Sequence, residues 1–186
     1  AGSRIAYVLL WELDGFLNNP LILFDLRRGG LAFHGGLLAA VAIGIVYAKY
    51  RNLPVGKLAD ITAPYIILGY AFTRVGCFFN GCCFGKVAQI PWALPVSSMD
   101  NLPRHPTQLY GVLGGLLIFF ILKVLDKKRS QFPTFPGFLM VALMALYSIY
   151  RFILEFYREE MQYYFFTAGQ IVSIIIFIVA LLFYLG

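Results

Sequence analysis

The run Thr73-Arg74-Val75-Gly76-Cys77-Phe78-Phe79-Asn80-Gly81-Cys82-Cys83-Phe84-Gly85 places an arginine inside apolar sequence and follows it with a carboxamide and three thiols. A charge at membrane depth is costly, so it faces a cavity, a partner or a ligand. Arg74 is therefore the first candidate for holding an anion. The thiols have three readings. A disulfide from Cys77 to Cys82 or Cys83, or plain packing, ranks first. Thiol-redox chemistry ranks second, since no Cys-x-x-Cys is present. A metal completed by His34 or His105 ranks last, because Cys-x4-Cys-Cys lacks the paired spacing of zinc sites. Neither a metal nor a cofactor is expected.

Three further segments read as helix starts with polar residues: Phe33-His34-Gly35-Gly36, Arg104-His105-Pro106-Thr107-Gln108 and Thr167-Ala168-Gly169-Gln170. Helix N-termini carry unpaired N–H groups and partial positive charge, which suits phosphate. Pro106 fits a first helical position, and Gly35-Gly36 permits close approach of a ligand to the backbone. The competing reading is ordinary caps and small-residue packing. His34, with an unperturbed pKa near 6.5, suits a general base; the alternative is a packed histidine. Tyr147, Arg151, Glu155 and Arg158 share one helical face, with a rise of roughly 10 Å from Arg151 to Arg158. Glu155 either orients Arg151 toward an anion, which its planar fork can grip bidentately, or the pair simply pins the helix. Asp60 is about 21 Å along a helix from Arg74, too far to pair with it, and reads as a cap.

The elements that position these residues follow from composition. The chain has 186 residues, 60% hydrophobic and 13% charged, with mean hydropathy +0.77. A soluble domain carries roughly a quarter charged residues. The expectation is an all-α integral membrane protein, a polytopic bundle of about five transmembrane helices of about 20 residues each. The spans fall near 31–50, 58–80, 106–125, 137–157 and 167–185, in a single transmembrane domain over 1–186. Residues 1–30 hold the end of a preceding span (Ile5 to Trp11) and an outer loop, with Asp14 to Pro20 turn-rich. The start, Ala1-Gly2-Ser3-Arg4, shows no signal-peptide pattern. The net charge of +6 comes from basic residues in loops, which suits an anionic membrane surface rather than nucleic acid. Lys49, Arg51 and Lys57, and Lys123, Lys127, Lys128 and Arg129, mark two short loops as cytoplasmic. That orientation puts the polar site toward the outer leaflet.

The runs Gly29 to Leu37, Arg74 to Gly85, Arg104 to Tyr110 and Tyr147 to Arg158 resemble prolipoprotein diacylglyceryl transferases, in that family's order. The resemblance extends from Arg4 through Gly169-Gln170. It implies a multi-pass enzyme of the bacterial inner membrane with its site on the periplasmic side. Such an enzyme moves the diacylglyceryl group of phosphatidylglycerol onto the thiol of a prolipoprotein lipobox peptide and releases glycerol phosphate. By that resemblance Arg74 and Arg151 hold the lipid phosphate, His34 is the base or relay, and Glu155 orients Arg151. Asn80 and Gly85 match the family signature, and Arg104, His105, Gln108 and Tyr147 complete the substrate-binding set. Thr73, Cys77 and Cys82 stand where the signature has Gly, Asn and Glu. The chain starts near the end of the family's second span. The alternatives are a membrane thiol-redox protein using Cys77, Cys82 and Cys83, and a non-catalytic phospholipid-binding or transport module of the same fold.

Overall fold

The computed structural model describes residues 2–25, 33–95, 101–131, 134–158, 162–163 and 166–185. They form two compact units, Ala1–Val55 and Gly56–Gly186. In the first, α1 (Gly2–Trp11) and α3 (Phe33–Tyr50) pack through small residues. A Cβ on Gly35 would overlap the Ala6 methyl and lie 2.9 Å from the Gly2 carbonyl oxygen, and one on Gly36 would lie 3.2 Å from Ser3 Cβ. The close approach these glycines permit is thus to a helix rather than to a ligand. Buried Arg4 donates to the Ile22 carbonyl at 2.8 Å and faces Glu12 at 3.6 Å.

The turn-rich reading of Asp14 to Pro20 is corrected: α2 (Leu13–Asn18) and a 3-10 turn over Pro20–Phe24 occupy it. Asn19 is the hinge between them. Its carboxamide oxygen accepts from Leu21 N at 3.2 Å, and Pro20 takes the first helical position, where its missing N–H costs nothing. Asn-Pro therefore starts a second helical turn instead of ending helical structure.

The second unit holds α4 (Val55–Phe79), α5 (Thr107–Lys127), α6 (Phe138–Glu155) and α7 (Ala168–Leu185). All four are long and apolar enough to cross a membrane; the apolar stretch Gly35–Tyr50 of α3 is shorter. The protein is an all-α, multi-pass membrane protein. Two short antiparallel ladders lie between helices: β1 (Leu94–Pro95) with β2 (Pro103–Arg104), and β3 (Gln162–Tyr163) with β4 (Phe166–Thr167).

The core joins Ala63 and Ile67 of α4, Ile118 and Leu122 of α5, and Leu139 and Leu143 of α6. On α4 the buried positions Asp60, Ala63, Pro64, Ile67 and Ala71 recur at helical spacing, and Arg74 continues the series. The inward face of one helix thus carries an acid at one end and a cation at the other. Leu113, Leu117 and Phe120 of α5 and Ile174, Ile175 and Ile178 of α7 stay exposed, as helices facing hydrocarbon require.

Asp60 caps a helix, but not its own. Its carboxylate accepts from Gly137 N at 2.9 Å, Leu139 N at 2.7 Å and Met140 N at 3.4 Å, and from Arg129 Nη2 at 2.7 Å. It closes the N-terminus of α6 from the side, where the orphan N–H groups and the positive end of the dipole lie. Gly137, at φ +106°, supplies the left-handed residue that begins this helix. At the other end α6 stops at Glu155, so Arg158 lies outside the helix rather than on its face. Phe156, Tyr157 and Arg158 each bond three residues back, the tightened turn that often closes a helix.

Replacing Asp60 with Ala strands three helix N–H groups and Arg129. The expected loss is about 3 kcal/mol of stability, read as a lower unfolding midpoint in detergent micelles. An unchanged midpoint would contradict the capping role.

Candidate functional site

Arg74 lies at the Cys-rich end of α4, its stem over the bare backbone of α5. A Cβ on Gly111 would come 2.8 Å from Arg74 Cγ. Its guanidinium sits 4.9 Å from the centroid of the Tyr70 ring, a cation–π contact one turn back on the same helix. Tyr70 in turn meets Tyr147 edge-on at 5.5 Å and bonds Tyr150 hydroxyl to hydroxyl at 3.2 Å. Arg74 is four residues past Tyr70, and Arg151 is four past Tyr147. Each step rises about 6 Å, and α4 and α6 run in the same direction. The tyrosine contact therefore sets the two arginines at one depth, with Tyr147 within electrostatic reach of both. Arg74 Nε is buried and has no hydrogen-bond partner among the described residues.

Arg151 is held differently. Its guanidinium pairs with Glu155 at 2.6 Å, one turn along α6, and the Glu155 side chain is fully buried. The other carboxylate oxygen of Glu155 accepts from Thr167 Oγ1 at 3.0 Å. Thr167 and Gln170 form a capping box at the start of α7: the Thr167 hydroxyl accepts from Gln170 N at 3.2 Å, and the Gln170 carboxamide accepts from Thr167 N at 3.1 Å. Gly169 leaves room for the acid, since a Cβ there would run into the Glu155 carboxylate. The helix start seen in Thr167 to Gln170 is thus closed by protein groups.

The loop after α4 is threaded between two others. Gly85 N donates to the His105 carbonyl at 2.9 Å, His105 N to Lys86 O at 3.0 Å, and Lys86 N to Tyr157 O at 2.9 Å. Thr107 Oγ1 donates to Cys83 O at 2.7 Å, and fully buried Gln108 donates to Cys82 O at 2.5 Å. Gln108 Oε1 is buried with no hydrogen-bond partner among the described residues. Arg104 is buried as well, with Nη1 3.5 Å from the Gly85 carbonyl. The first turn of α5 therefore clamps the signature loop. His105 Nδ1 lies 3.0 Å from the Tyr110 hydroxyl, which accepts from Trp92 Nε1 at 2.7 Å. With Tyr150, Ile153, Leu154 and Tyr157 these residues line a cavity of about 390 Å³.

The α4 C-terminus explains the thiols. Gly81 N bonds to Phe78 O and Cys82 N to Cys77 O, both at 3.1 Å, with Gly81 at φ +65°. That is a Schellman motif with Asn80 as C-cap. It folds Cys82 back onto Cys77, and no disulfide joins the three cysteines. A hydrogen bond from Asn80 holds the Cys82 thiol below its ordinary pKa, while desolvation pushes Cys83 up.

Of the residues singled out in the sequence, Arg74, Asn80, Gly85, Arg104, His105, Gln108, Tyr147, Arg151 and Glu155 collect at one end of the second unit. They are spread over the α4 and α6 termini and the α5 start. His34 belongs to the first turn of α3 in the first unit, and its side chain lies outside the described residues. Gly29 to Ala32 lie outside them too. Tyr70, Tyr150 and Trp92 were missed. The first had a signal, one helical turn before Arg74, whereas the other two join through tertiary contacts alone.

Gly85 is the tightest point of the clamp: a Cβ would run into the Tyr157 carbonyl and come 2.7 Å from Thr107 Cγ2. Gly85→Ala is expected to cost about 1–3 kcal/mol and to loosen the loop, seen as a lower melting midpoint and faster amide exchange at Lys86 and His105. Wild-type exchange at both amides would refute the clamp.

The family described as prolipoprotein diacylglyceryl transferase matches residues 1–185. The chain is similar to the phosphatidylglycerol–prolipoprotein diacylglyceryl transferase of Idiomarina loihiensis, 38% identical over 159 residues that cover 85% of this chain and 58% of the relative. The enzyme of the same name from Pasteurella multocida is 39% identical over 179 residues, covering 92% and 65%. That from Vibrio atlanticus is 36% identical over 187 residues, covering 97% and 67%. The chain spans about three-fifths of the length of the first of these curated relatives. The family model covers nearly the whole chain, signature arginine, clamped glycine and Arg–Glu pair included, and the chain belongs to the prolipoprotein diacylglyceryl transferase family.

Proposed function

We propose that this chain carries out transfer of the diacylglyceryl group of phosphatidylglycerol to the cysteine thiol of a prolipoprotein lipobox, with release of glycerol phosphate. The observation that carries the reading is Arg74. It is a cation on the inward face of a membrane helix, laid on an aromatic ring, with no carboxylate at ion-pair distance among the described residues. A lipid phosphate supplies the missing negative charge. Arg151, at the same depth, takes the second phosphate oxygen, and Glu155 holds its guanidinium in place.

The chemistry that follows is a displacement at carbon. The lipobox thiol gives its proton to a base, the role that the family resemblance gives His34, and the thiolate attacks the glycerol carbon that bears the phosphate ester. The new C–S bond forms as the C–O bond breaks, and its electron pair leaves on glycerol phosphate. Arg74 and Arg151 stabilise the charge that develops on the departing oxygens. Asn80, His105 and Tyr147 line the approach, and Arg104 and Gln108, buried against the loop carbonyls, join Gly85 in holding the loop and support the binding role read for them. The dense basic loops at the Asp60 end support a reading in which that end faces the cytoplasm of a bacterial inner membrane and the site faces the periplasm.

The test is turnover of labelled phosphatidylglycerol with a lipobox peptide, following both the thioether product and glycerol phosphate. Arg74→Ala and Arg151→Ala are each expected to lower turnover by roughly 10²–10³-fold, and Arg74→Lys to recover only part of it. Full turnover in both alanine variants removes the phosphate assignment. Bound phosphatidylglycerol without product from any acceptor thiol would make the chain a lipid-binding module instead.

A further inference from the structure

We propose that Cys77, Cys82 and Cys83 form a three-thiolate site for a soft cation of the copper(I) class. The three Sγ atoms all lie within 4.8 Å of one another, and those of Cys82 and Cys83 are 3.5 Å apart. A metal–sulfur bond of about 2.3 Å sets the sulfurs of one ion roughly 3.8–4 Å apart. Closing the cluster on an ion thus needs small side-chain adjustments and no movement of α4.

The spacing that argued against a metal has another origin. Cys-x4-Cys is the separation of the two residues joined by the longer hydrogen bond of a Schellman cap, here Cys82 N to Cys77 O at 3.1 Å. The cap that ends α4 is therefore also the device that stacks the two thiols. A second turn brings in the third. Cys83 has φ +63°, and the only other described non-glycine residues at positive φ, Asn52 and Asn101, are asparagines, which tolerate that conformation. A cysteine held there aims its thiol back to the same side as its neighbour's.

The donor set selects the ion. Among the described residues no histidine or carboxylate joins the group. Calcium and magnesium take oxygen ligands, and structural zinc takes four ligands. Three thiolates and nothing else suit the soft, low-coordinate copper(I) ion. Binding releases the three thiol protons to solvent as three Cu–S bonds form. Cys83 is exposed and the other two are half-buried, so an ion has a way in. Arg74 lies within electrostatic reach of Cys77 and Cys83 and offsets part of the thiolate charge.

The full chain, reduced and held in detergent micelles without oxygen, is titrated with Cu(I) against bicinchoninate. One copper per chain is expected, with three sulfur neighbours by X-ray absorption. Cys77→Ser and Cys82→Ser should lose the ion. Gly81→Ala keeps every thiol but opposes the left-handed cap, and should weaken binding roughly 10–100-fold. Elution and melting profiles of each variant check the fold. In the wild-type chain, which needs no substitution, bound Cu(I) should protect all three cysteines from alkylation. Equal copper uptake by the triple serine variant, unprotected thiols in the loaded wild type, or preferential retention of Zn(II) at the same cysteines would each overturn the proposal.

Discussion

Two buried carboxylates, each set against the N-terminus of a helix other than its own, hold the second unit together. Asp60 on α4 closes the first turn of α6, and Glu155 at the end of α6 abuts the first turn of α7. In hydrocarbon the orphan N–H groups of a helix start have no water to bond. Asp60 satisfies them directly at α6, while Glu155 takes the hydroxyl of Thr167, the residue that caps α7, and both acids lie at the positive end of a helix dipole. Each acid also binds an arginine, Arg129 at one end and Arg151 at the other. The charges are thereby balanced in place, and the helix order α4–α6–α7 is tied at both ends of α6.

That arrangement explains why the two arginines of the candidate site differ. Arg151 is fixed by an acid that is itself buried and held by the Thr167 hydroxyl, so its guanidinium direction is set before any ligand arrives. Arg74 rests on Tyr70 and on the space left by Gly111, contacts that locate it without neutralising it. One cation is oriented and the other is left with charge to spare. In the proposed reaction a phosphate between them would meet one preorganised fork and one open charge, and preorganised charge stabilises a developing oxyanion at little reorganisation cost.

Much of this was legible in the chain. The apolar runs gave the helices to within about three residues, because a span needs about 20 apolar residues and the breaks between runs are polar or glycine- and proline-rich. Arg74, Arg151 and Glu155 stood out because a charge inside such a run has few tolerable explanations. The i, i+4 spacing of Arg151 and Glu155 carried their pairing outright. Other readings failed for local reasons. Gly35-Gly36 looked like an opening for a ligand, yet sequence does not say whether a bare backbone meets a ligand or another helix, and here it meets α1. Asn19-Pro20 looked like a break, yet the same pair caps a following turn. Asp60 read correctly as a cap, but sequence distance cannot show that the helix start it closes lies 77 residues later.

By itself the sequence determined the membrane class, the helices, the family signature and the residues that had to be explained, since hydropathy, helical period and the cost of buried charge are properties of local sequence. Only the tertiary structure decided which groups those residues meet. It put Asp60 on α6, Tyr70 between two arginines' helices, and the loop at Gly85 between His105 and Tyr157. It also turned Cys-x4-Cys-Cys, a poor metal motif when read as a string, into three thiols side by side. The reason is physical: hydrogen bonds at helix ends and ring contacts act over a few ångströms in space, and the groups they join are far apart along the chain or brought together by a backbone turn that residue spacing alone does not reveal.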